Sequence, residues 1–205
     1  MSNDITLSNN YAQLSPALQK RCMEIADRYG DFPKFCETFS PKNQSWFSDY
    51  PERCYLGTAP TMVMIDNTYG KRTSSVWLSQ QLIELNAFAK GEKMDDYQVK
   101  EAAKILASNY YHLKATEFML FFWRLKSGRY GKFFGAVDPI TIGNYLQSFL
   151  NERNYEIGKY EQEHQKEKPK TNGISFEEYY QKELERNPDR KEDLDKLKNL
   201  LNGVL

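Results

Sequence analysis

The stretch from Asp95 to His164 constrains the fold more than any other part of the chain. Its first part has apolar residues at helical spacing and includes the dense apolar run Phe118–Trp123. A loop rich in glycine, aromatic residues and cations follows, and Asp138-Pro139 then begins a second helix with an N-cap acceptor and a proline in the first turn. Two long helices, over about 97–126 and 139–165, therefore predict an all-α helical bundle built on a central hairpin.

Helical spacing and stop signals predict further helices before this hairpin. They extend over about 16–29, 31–39, 61–69 and 75–89, and a short strand is the alternative for Met62, Val63 and Ile65. Residues 40–58 are interpreted as a loop packed down by aromatic side chains. In the helix over 75–89, the apolar face is formed by Leu78, Leu82, Leu85 and Ala89. The neighbouring residues Val76, Ile83 and Phe88 are interpreted as widening that face.

The composition changes after about Gly158, because residues 159–170 are nearly all charged or amide side chains. Such a stretch is typical of a solvated helix end that continues into a linker. We therefore predict a helical core domain over 1–165, in which 1–13 form a loose lead-in. Residues 166–205 are predicted to be a charged linker and a C-terminal helical appendage.

The composition also limits the classes of function. Lys and Arg number 28, as do Asp and Glu, so any nucleic-acid binding would depend on a local basic patch. Three widely spaced cysteines argue against a disulfide framework. The N-terminus does not resemble a signal peptide, and the run Phe118–Trp123 is far shorter than the roughly 20 residues of a membrane span. We expect a cytoplasmic protein that does not associate with a membrane.

Motifs for metal binding or catalysis are not apparent in the sequence. His112 and His164 have no Cys, His or carboxylate at the spacing of metal ligands, so we predict no metal site and no cofactor. Glu117 shares a helical face with apolar residues and needs a cationic partner there. Lys114, Arg124 and Arg153 are candidates. The favoured interpretation is a structural ion pair, with Glu117 and Arg153 joining the two arms of the hairpin.

The loop offers a different kind of candidate site. Between Glu117 and Asp138 there is no acidic residue, while cations alternate with aromatic rings. Single-stranded nucleic acid is bound by this combination, because cations contact phosphates and rings stack on bases. In the alternative interpretation the rings fold inward and the cations only solvate a turn. The candidate residues for nucleic-acid binding are Arg124, Lys126, Arg129, Tyr130, Lys132 and Phe133.

Five segments resemble an uncharacterised family of small proteins from gut Bacteroides-type bacteria: Ala59–Thr61, Tyr69–Lys71, Trp77–Leu78, Tyr110–Glu117 and Phe121–Pro139. Its members are often linked with phages and integrated mobile elements. The resemblance covers about residues 55–165, and the loop is its most specific part. Because the family has no established activity, the resemblance implies no site residues, and it implies a link to DNA or to takeover of a host only by association.

These observations favour three hypotheses about function. The leading one is a non-enzymatic accessory or adaptor protein of a phage or mobile element that binds macromolecules, with a protein as its partner. The second is a nucleic-acid-binding protein that uses the loop over 124–134. The third is an enzyme of unknown reaction with Glu117 or His112 in its site.

Overall fold

The computed structural model describes residues 14–89, 92–131, 138–165 and 176–202. Within these residues the regular structure is helical and contains no β-strand, which confirms the predicted all-α class. The α-helices are α1 Pro16–Tyr29, α2 Phe32–Thr38, α3 Pro51–Leu56, α4 Met62–Tyr69, α5 Thr73–Phe88, α6 Asp96–Asn109, α7 Ala115–Lys126, α8 Pro139–Gln165, α9 Phe176–Arg186 and α10 Lys191–Asn202. Short 3₁₀ helices occupy Pro41–Phe47 and Pro188–Arg190.

Several helices begin where side chains satisfy the free backbone amides of the first turn. The Asp31 carboxylate accepts a hydrogen bond from the Lys34 amide at 3.1 Å at the start of α2. At the start of α6, the Asp95 carboxylate accepts from the Gln98 amide at 2.7 Å, and the Gln98 side chain accepts from the Asp95 amide at 2.9 Å. This reciprocal pair is a capping box, so a local sequence pattern accounts for where α6 begins.

Helix α7 is the centre of the first of two compact units, Met1–Glu161. Its side chains are buried on almost every face, including the continuous run Phe118–Phe122. The ring of Phe118 lies against Trp77 of α5, and the ring of Phe121 lies against Phe149 of α8. A helix that is apolar all round must be enclosed by other elements, and α7 is.

The first arm of the predicted hairpin is not one helix. It is divided into α6 and α7 by residues 110–114. Here the chain pairs with the start of α4: the Met62 amide donates to the Leu113 carbonyl at 3.0 Å, and the Ala115 amide donates to the Pro60 carbonyl at 2.9 Å. These tertiary bonds take backbone groups that a continuous helix would use internally, and they separate the two helices.

Residues 40–58 also differ from the prediction, since they include the 3₁₀ helix over Pro41–Phe47 and helix α3. The prolines begin these helices instead of interrupting them, because proline fits the first helical turn. Phe39 is buried just before the segment, and its carbonyl accepts hydrogen bonds from Trp77 Nε1 at 3.0 Å and Gln81 Nε2 at 2.9 Å. Side chains of α5 therefore hold the entrance to this segment.

The second compact unit is Gln162–Leu205, and α9 and α10 are its described helices. The Tyr180 hydroxyl donates to the Asp195 carboxylate at 2.6 Å, which links the two helices. Arg190 and Glu183 form an ion pair at 2.8 Å. Short contacts between neighbouring helices thus organise this unit.

Candidate functional site

Arg124, the first cation of the predicted basic loop, lies at the buried junction of α7 and α8 and is only 6% exposed. Its Nη1 donates to the Tyr55 hydroxyl at 3.0 Å and to Glu152 at 3.2 Å. Its Nη2 donates to both carboxylate oxygens of Glu156 at 3.1 and 3.2 Å. Burial alone would lower the pKa of this guanidinium, but Tyr55 and Glu156 outweigh it and raise that pKa. The charge of Arg124 is therefore used inside the protein.

Arg129 and Tyr130 join the same group of side chains. Arg129 Nε donates to the Glu152 carboxylate at 3.0 and 3.2 Å, and the Tyr130 hydroxyl donates to Glu152 at 3.0 Å. The Tyr130 ring stacks against Phe121 and Tyr145, with centroid separations of 6.2 and 6.4 Å. We call the group formed by Tyr55, Arg124, Arg129, Tyr130, Glu152 and Glu156 the arginine–carboxylate cluster.

Protonation of the two tyrosines follows from this environment. Burial raises the pKa of Tyr55, and its hydrogen bond to Glu156 raises it further. Burial and the charge of Glu152 raise the pKa of Tyr130 in the same way. Both phenols therefore stay protonated and donate to carboxylates, which suits a structural network.

The remaining loop candidates divide into two groups. Lys126 Nζ lies 6.0 Å from the centroid of the Phe88 ring, and burial lowers its pKa. Lys132 and Phe133 lie outside the described residues. Of the predicted nucleic-acid-binding residues, Arg124, Arg129 and Tyr130 thus contact glutamates of the same protein. These contacts argue against a phosphate-binding loop, because a phosphate would have to compete with carboxylates already in place.

Glu117 is fully buried at the start of α7. Arg153 Nε donates to its Oε1, and the Lys114 amide donates to its Oε2 at 2.7 Å. The structure thus places the predicted pair Glu117–Arg153 between α7 and α8. The second role of Glu117, capping the first turn of α7, was missed. Lys114 is not one of the usual N-cap residues, so no capping motif marks the position.

His112 lies on the exposed turn between α6 and α7, with its ring edge-on to Tyr111. Burial raises the pKa of the Cys54 thiol to about 12 and that of Cys36 to about 11, so both thiols remain protonated near neutral pH. In the described part of the chain, no three His, Cys, Asp or Glu side chains come together as a metal-binding group.

An open groove lies between α5 and α6 in the first unit. Val76 and Ile83 form its α5 wall and are 50% and 58% exposed. Leu78, Leu82 and Leu85, on the opposite face of the same helix, are buried. The prediction that Val76, Ile83 and Phe88 widen the core-facing stripe is therefore wrong, because α6 packs beside α5 and leaves its outer face uncovered.

The groove consists of two adjoining hollows of about 360 and 420 Å³. Arg72, Ser75 and Lys104 line both of them. Ile83, near the end of α5, lines the same hollow as Asp96 at the start of α6. Arg72, at the start of α5, lines the other hollow with Ser108 near the end of α6, so the two walls are antiparallel. We call this feature the α5–α6 groove; its lining also includes Val63, Asp66, Val76, Ser79, Ile83, Asp96, Val99, Lys100, Ala107, Ser108 and Tyr111.

Sequence reasoning missed this groove, although one signal pointed to it. The segment that forms α5 has large apolar residues on more than one face, and a helix of that kind is covered on all sides or presents a binding surface. The missing information was which face another helix covers, and that depends on packing.

No helix among the described residues combines the length and the apolar character needed to cross a membrane. Residues 93–189 match a model of a family of unknown function (DUF6633). This range contains α6, α7, α8 and α9. It begins and ends later in the chain than the predicted resemblance to an uncharacterised family over about residues 55–165, so it does not cover residues 55–92. No curated protein and no solved structure matches the chain. Over residues 93–189 the chain is thus similar to an uncharacterised protein family.

Proposed function

We propose that this protein is a non-enzymatic accessory protein that binds a protein partner, and that the α5–α6 groove receives an α-helix of that partner. The observation that carries the proposal is the exposed apolar stripe formed by Val76 and Ile83. Large apolar side chains that line a groove and face solvent lose that exposure when an apolar helix face binds there.

The geometry suits a helix. From Arg72 to Ile83 the α5 wall spans 12 residues, and the 11 steps between them cover about 16 Å at the rise of an α-helix. An amphipathic helix with apolar residues at i, i+3 or i+4, and i+7 could place about three of them along this length. The two antiparallel walls provide two sides of a three-helix arrangement, and the partner would supply the third.

The arginine–carboxylate cluster supports a protein partner over a nucleic acid. Arg124 and Arg129, two of the predicted phosphate-binding cations, form ion pairs with Glu152. The resemblance to proteins linked with phages and mobile elements is the reason to propose that the partner belongs to such an element or to its host.

The proposal is tested by photo-crosslinking in the cells that naturally contain the protein. A photoreactive amino acid at position 83 should give a discrete protein adduct that is lost when Val76→Glu is introduced as well. Ile140, at the start of α8, is the matched control position because it is also an exposed isoleucine, at 77%. Equal adducts from positions 83 and 140 would contradict the proposal, and nucleic acid joined to position 83 would favour the second hypothesis.

Binding should then be measured with the partner that the crosslink identifies. Ile83→Glu should weaken binding at least tenfold, because it places a charge on the apolar wall. Ile140→Glu makes the same chemical change outside the groove and should leave the affinity unchanged. If both variants bind like the unsubstituted protein, the groove is not the binding site.

A further inference from the structure

Arg72, at the N-cap of α5, has a left-handed backbone conformation with φ of 71° and ψ of 6°. Among the described residues it is the one non-glycine residue with positive φ. An L-amino acid is strained there because its Cβ approaches the following carbonyl oxygen, and glycine or asparagine usually occupies such positions. Arginine has no short polar group to compensate for that strain.

The turn around Arg72 is held by other side chains. The Thr73 hydroxyl donates to the Gly70 carbonyl at 2.7 Å, and the Asp66 carboxylate accepts from the Ser74 amide at 2.7 Å. The Arg72 backbone carbonyl also stabilises the turn, because it accepts a hydrogen bond from the Ser75 hydroxyl at 2.8 Å. Any residue at position 72 would supply the same carbonyl. The turn therefore gives no structural reason for an arginine side chain at position 72.

The Arg72 side chain lines both hollows of the α5–α6 groove and is exposed. Within the described part of the chain, Arg72 forms no ion pair with a carboxylate. The same is true of Lys100, which lies on the opposite wall. Lys104 pairs with Glu101 at 2.6 Å. Arg72 and Lys100 are thus without an ion-pair partner among the described residues, next to the exposed apolar stripe. Two carboxylates, Asp66 and Asp96, line the same hollows, and Asp66 accepts a hydrogen bond from the Ser74 amide.

We propose that Arg72 is a specificity-determining residue that selects a partner helix carrying an acidic side chain beside its apolar face. This inference rests on the function proposed above. A guanidinium can hold a carboxylate by two parallel hydrogen bonds, which sets both the charge and the position of the acidic residue. The turn does not require the strained backbone of Arg72. A role in binding accounts for that strain, because strained backbone conformations often occur at binding sites.

The test uses the full chain and three designed helical peptides labelled with a fluorophore. All three have leucines at i, i+4, i+7 and i+11, and the residues flanking that stripe are glutamate, glutamine or lysine. We expect the affinity, measured by fluorescence anisotropy, to fall in the order glutamate, glutamine, lysine. Replacement of glutamate by glutamine should weaken binding about fivefold, which is the size expected for a partly exposed ion pair.

Three variants at position 72 separate charge from backbone strain. Arg72→Gly and Arg72→Asn remove the charge and suit a left-handed backbone, whereas Arg72→Lys keeps both the charge and the strain. The first two should weaken binding of the glutamate peptide about fivefold and raise the Tm by about 2–4 °C. Arg72→Lys should keep the Tm of the unsubstituted protein, and its affinity should lie between those of the unsubstituted protein and Arg72→Gly, because an ammonium keeps the charge but not the two parallel hydrogen bonds. A purely structural role for Arg72 would instead lower the Tm in the glycine variant.

The outcomes distinguish this inference from the proposed function. If the glutamate and glutamine peptides bind equally and Arg72→Gly changes neither affinity, the role of Arg72 is overturned and the groove remains a helix-binding site. If no peptide binds, or if Ile83→Glu does not weaken binding, both the inference and the groove proposal are overturned. Opposite changes in affinity and Tm for Arg72→Gly would support both.

Discussion

Two arginines of the first unit, Arg124 and Arg72, have opposite surroundings. Arg124 is 6% exposed and is held by two glutamates and a tyrosine. Arg72 is exposed, has a strained backbone and forms no ion pair with a described residue. The comparison shows that a cation in this protein can be enclosed by carboxylates or exposed without an ion pair to any described residue, and the second arrangement is the one that supports the proposed role in binding. The contacts around it distinguish the two arrangements, and its residue type does not.

The same contrast applies to the surfaces that contain these arginines. In the arginine–carboxylate cluster, opposite charges and hydroxyl groups satisfy one another, so little interaction free energy remains for a ligand. In the α5–α6 groove, apolar side chains and cations both face solvent.

Arg124→Met should lower the free energy of unfolding by about 3 kcal/mol, because it leaves Glu152, Glu156 and the Tyr55 hydroxyl without their buried cation. Urea denaturation followed by circular dichroism measures the change. Arg129→Ala is the control within the same cluster: the Arg129 side chain is 49% exposed, and its loss should cost less than about 1 kcal/mol. Equal losses in the two variants would show that burial does not set the importance of these arginines.

Glu117→Gln should lower the free energy of unfolding by about 2 kcal/mol, because it removes the charge that Arg153 faces at a fully buried position. The same denaturation experiment applies. Glu101→Gln is the matched control, since Glu101 forms an exposed ion pair with Lys104 on α6. It should change stability by less than about 0.5 kcal/mol. A neutral result for Glu117→Gln would contradict a structural role for the pair with Arg153.

Stability should fall as the pH rises above about 10. The folded-state pKa values of Tyr55 and Tyr130 are raised above the ordinary value of 10.0. Above that pH the unfolded chain releases these protons while the folded protein retains them, so alkali favours unfolding. Each phenol can contribute up to about 1.4 kcal/mol per pH unit.

The measurement is the free energy of unfolding between pH 8 and 11 for the unsubstituted protein and for Tyr55→Phe. The variant should be less stable at pH 8, because it lacks the hydroxyl that joins Arg124 and Glu156, and its stability should fall less steeply above pH 10. Parallel curves for the two proteins would mean that Tyr55 does not contribute to the alkaline loss.

Arg72→Gly should give the smallest effect, and one of opposite sign. Removal of a left-handed L-residue should stabilise the fold, and the greater freedom of glycine in the unfolded chain offsets part of that gain. We expect a net increase of about 0.5–1 kcal/mol in the free energy of unfolding. A decrease would show that the Arg72 side chain supports the fold, as Arg124 does, and would remove the contrast between the two.

Much of the fold could be predicted from the sequence, because its signals act over a few residues. Asp95 with Gln98, and Asp138 with Pro139, begin α6 and α8 through bonds within a single turn. The apolar run Phe118–Trp123 is dense enough to require burial wherever the helix lies. Local hydrogen bonding and hydrophobicity therefore sufficed to predict the helical class and the central position of α7.

The division of the first arm into α6 and α7 could not be predicted in this way. It depends on hydrogen bonds to Pro60 and Met62, which are about fifty residues away in the sequence. Similarly, the acidic partners of Arg124 and Arg129 come from α8, more than twenty residues further along the chain. Between Glu117 and Asp138 the charged residues are all cations. This stretch by itself could not reveal that carboxylates from another helix pair with Arg124 and Arg129.

The sequence by itself determined an all-α protein, the places where several helices begin, and an apolar α7 that must be enclosed. Only the tertiary structure decided that Arg124 serves the fold, that Val76 and Ile83 face solvent, and that Arg72 has a strained backbone beside them. The physical reason is that helical periodicity shows which residues share a face, whereas exposure and charge pairing depend on which other segment packs against that face.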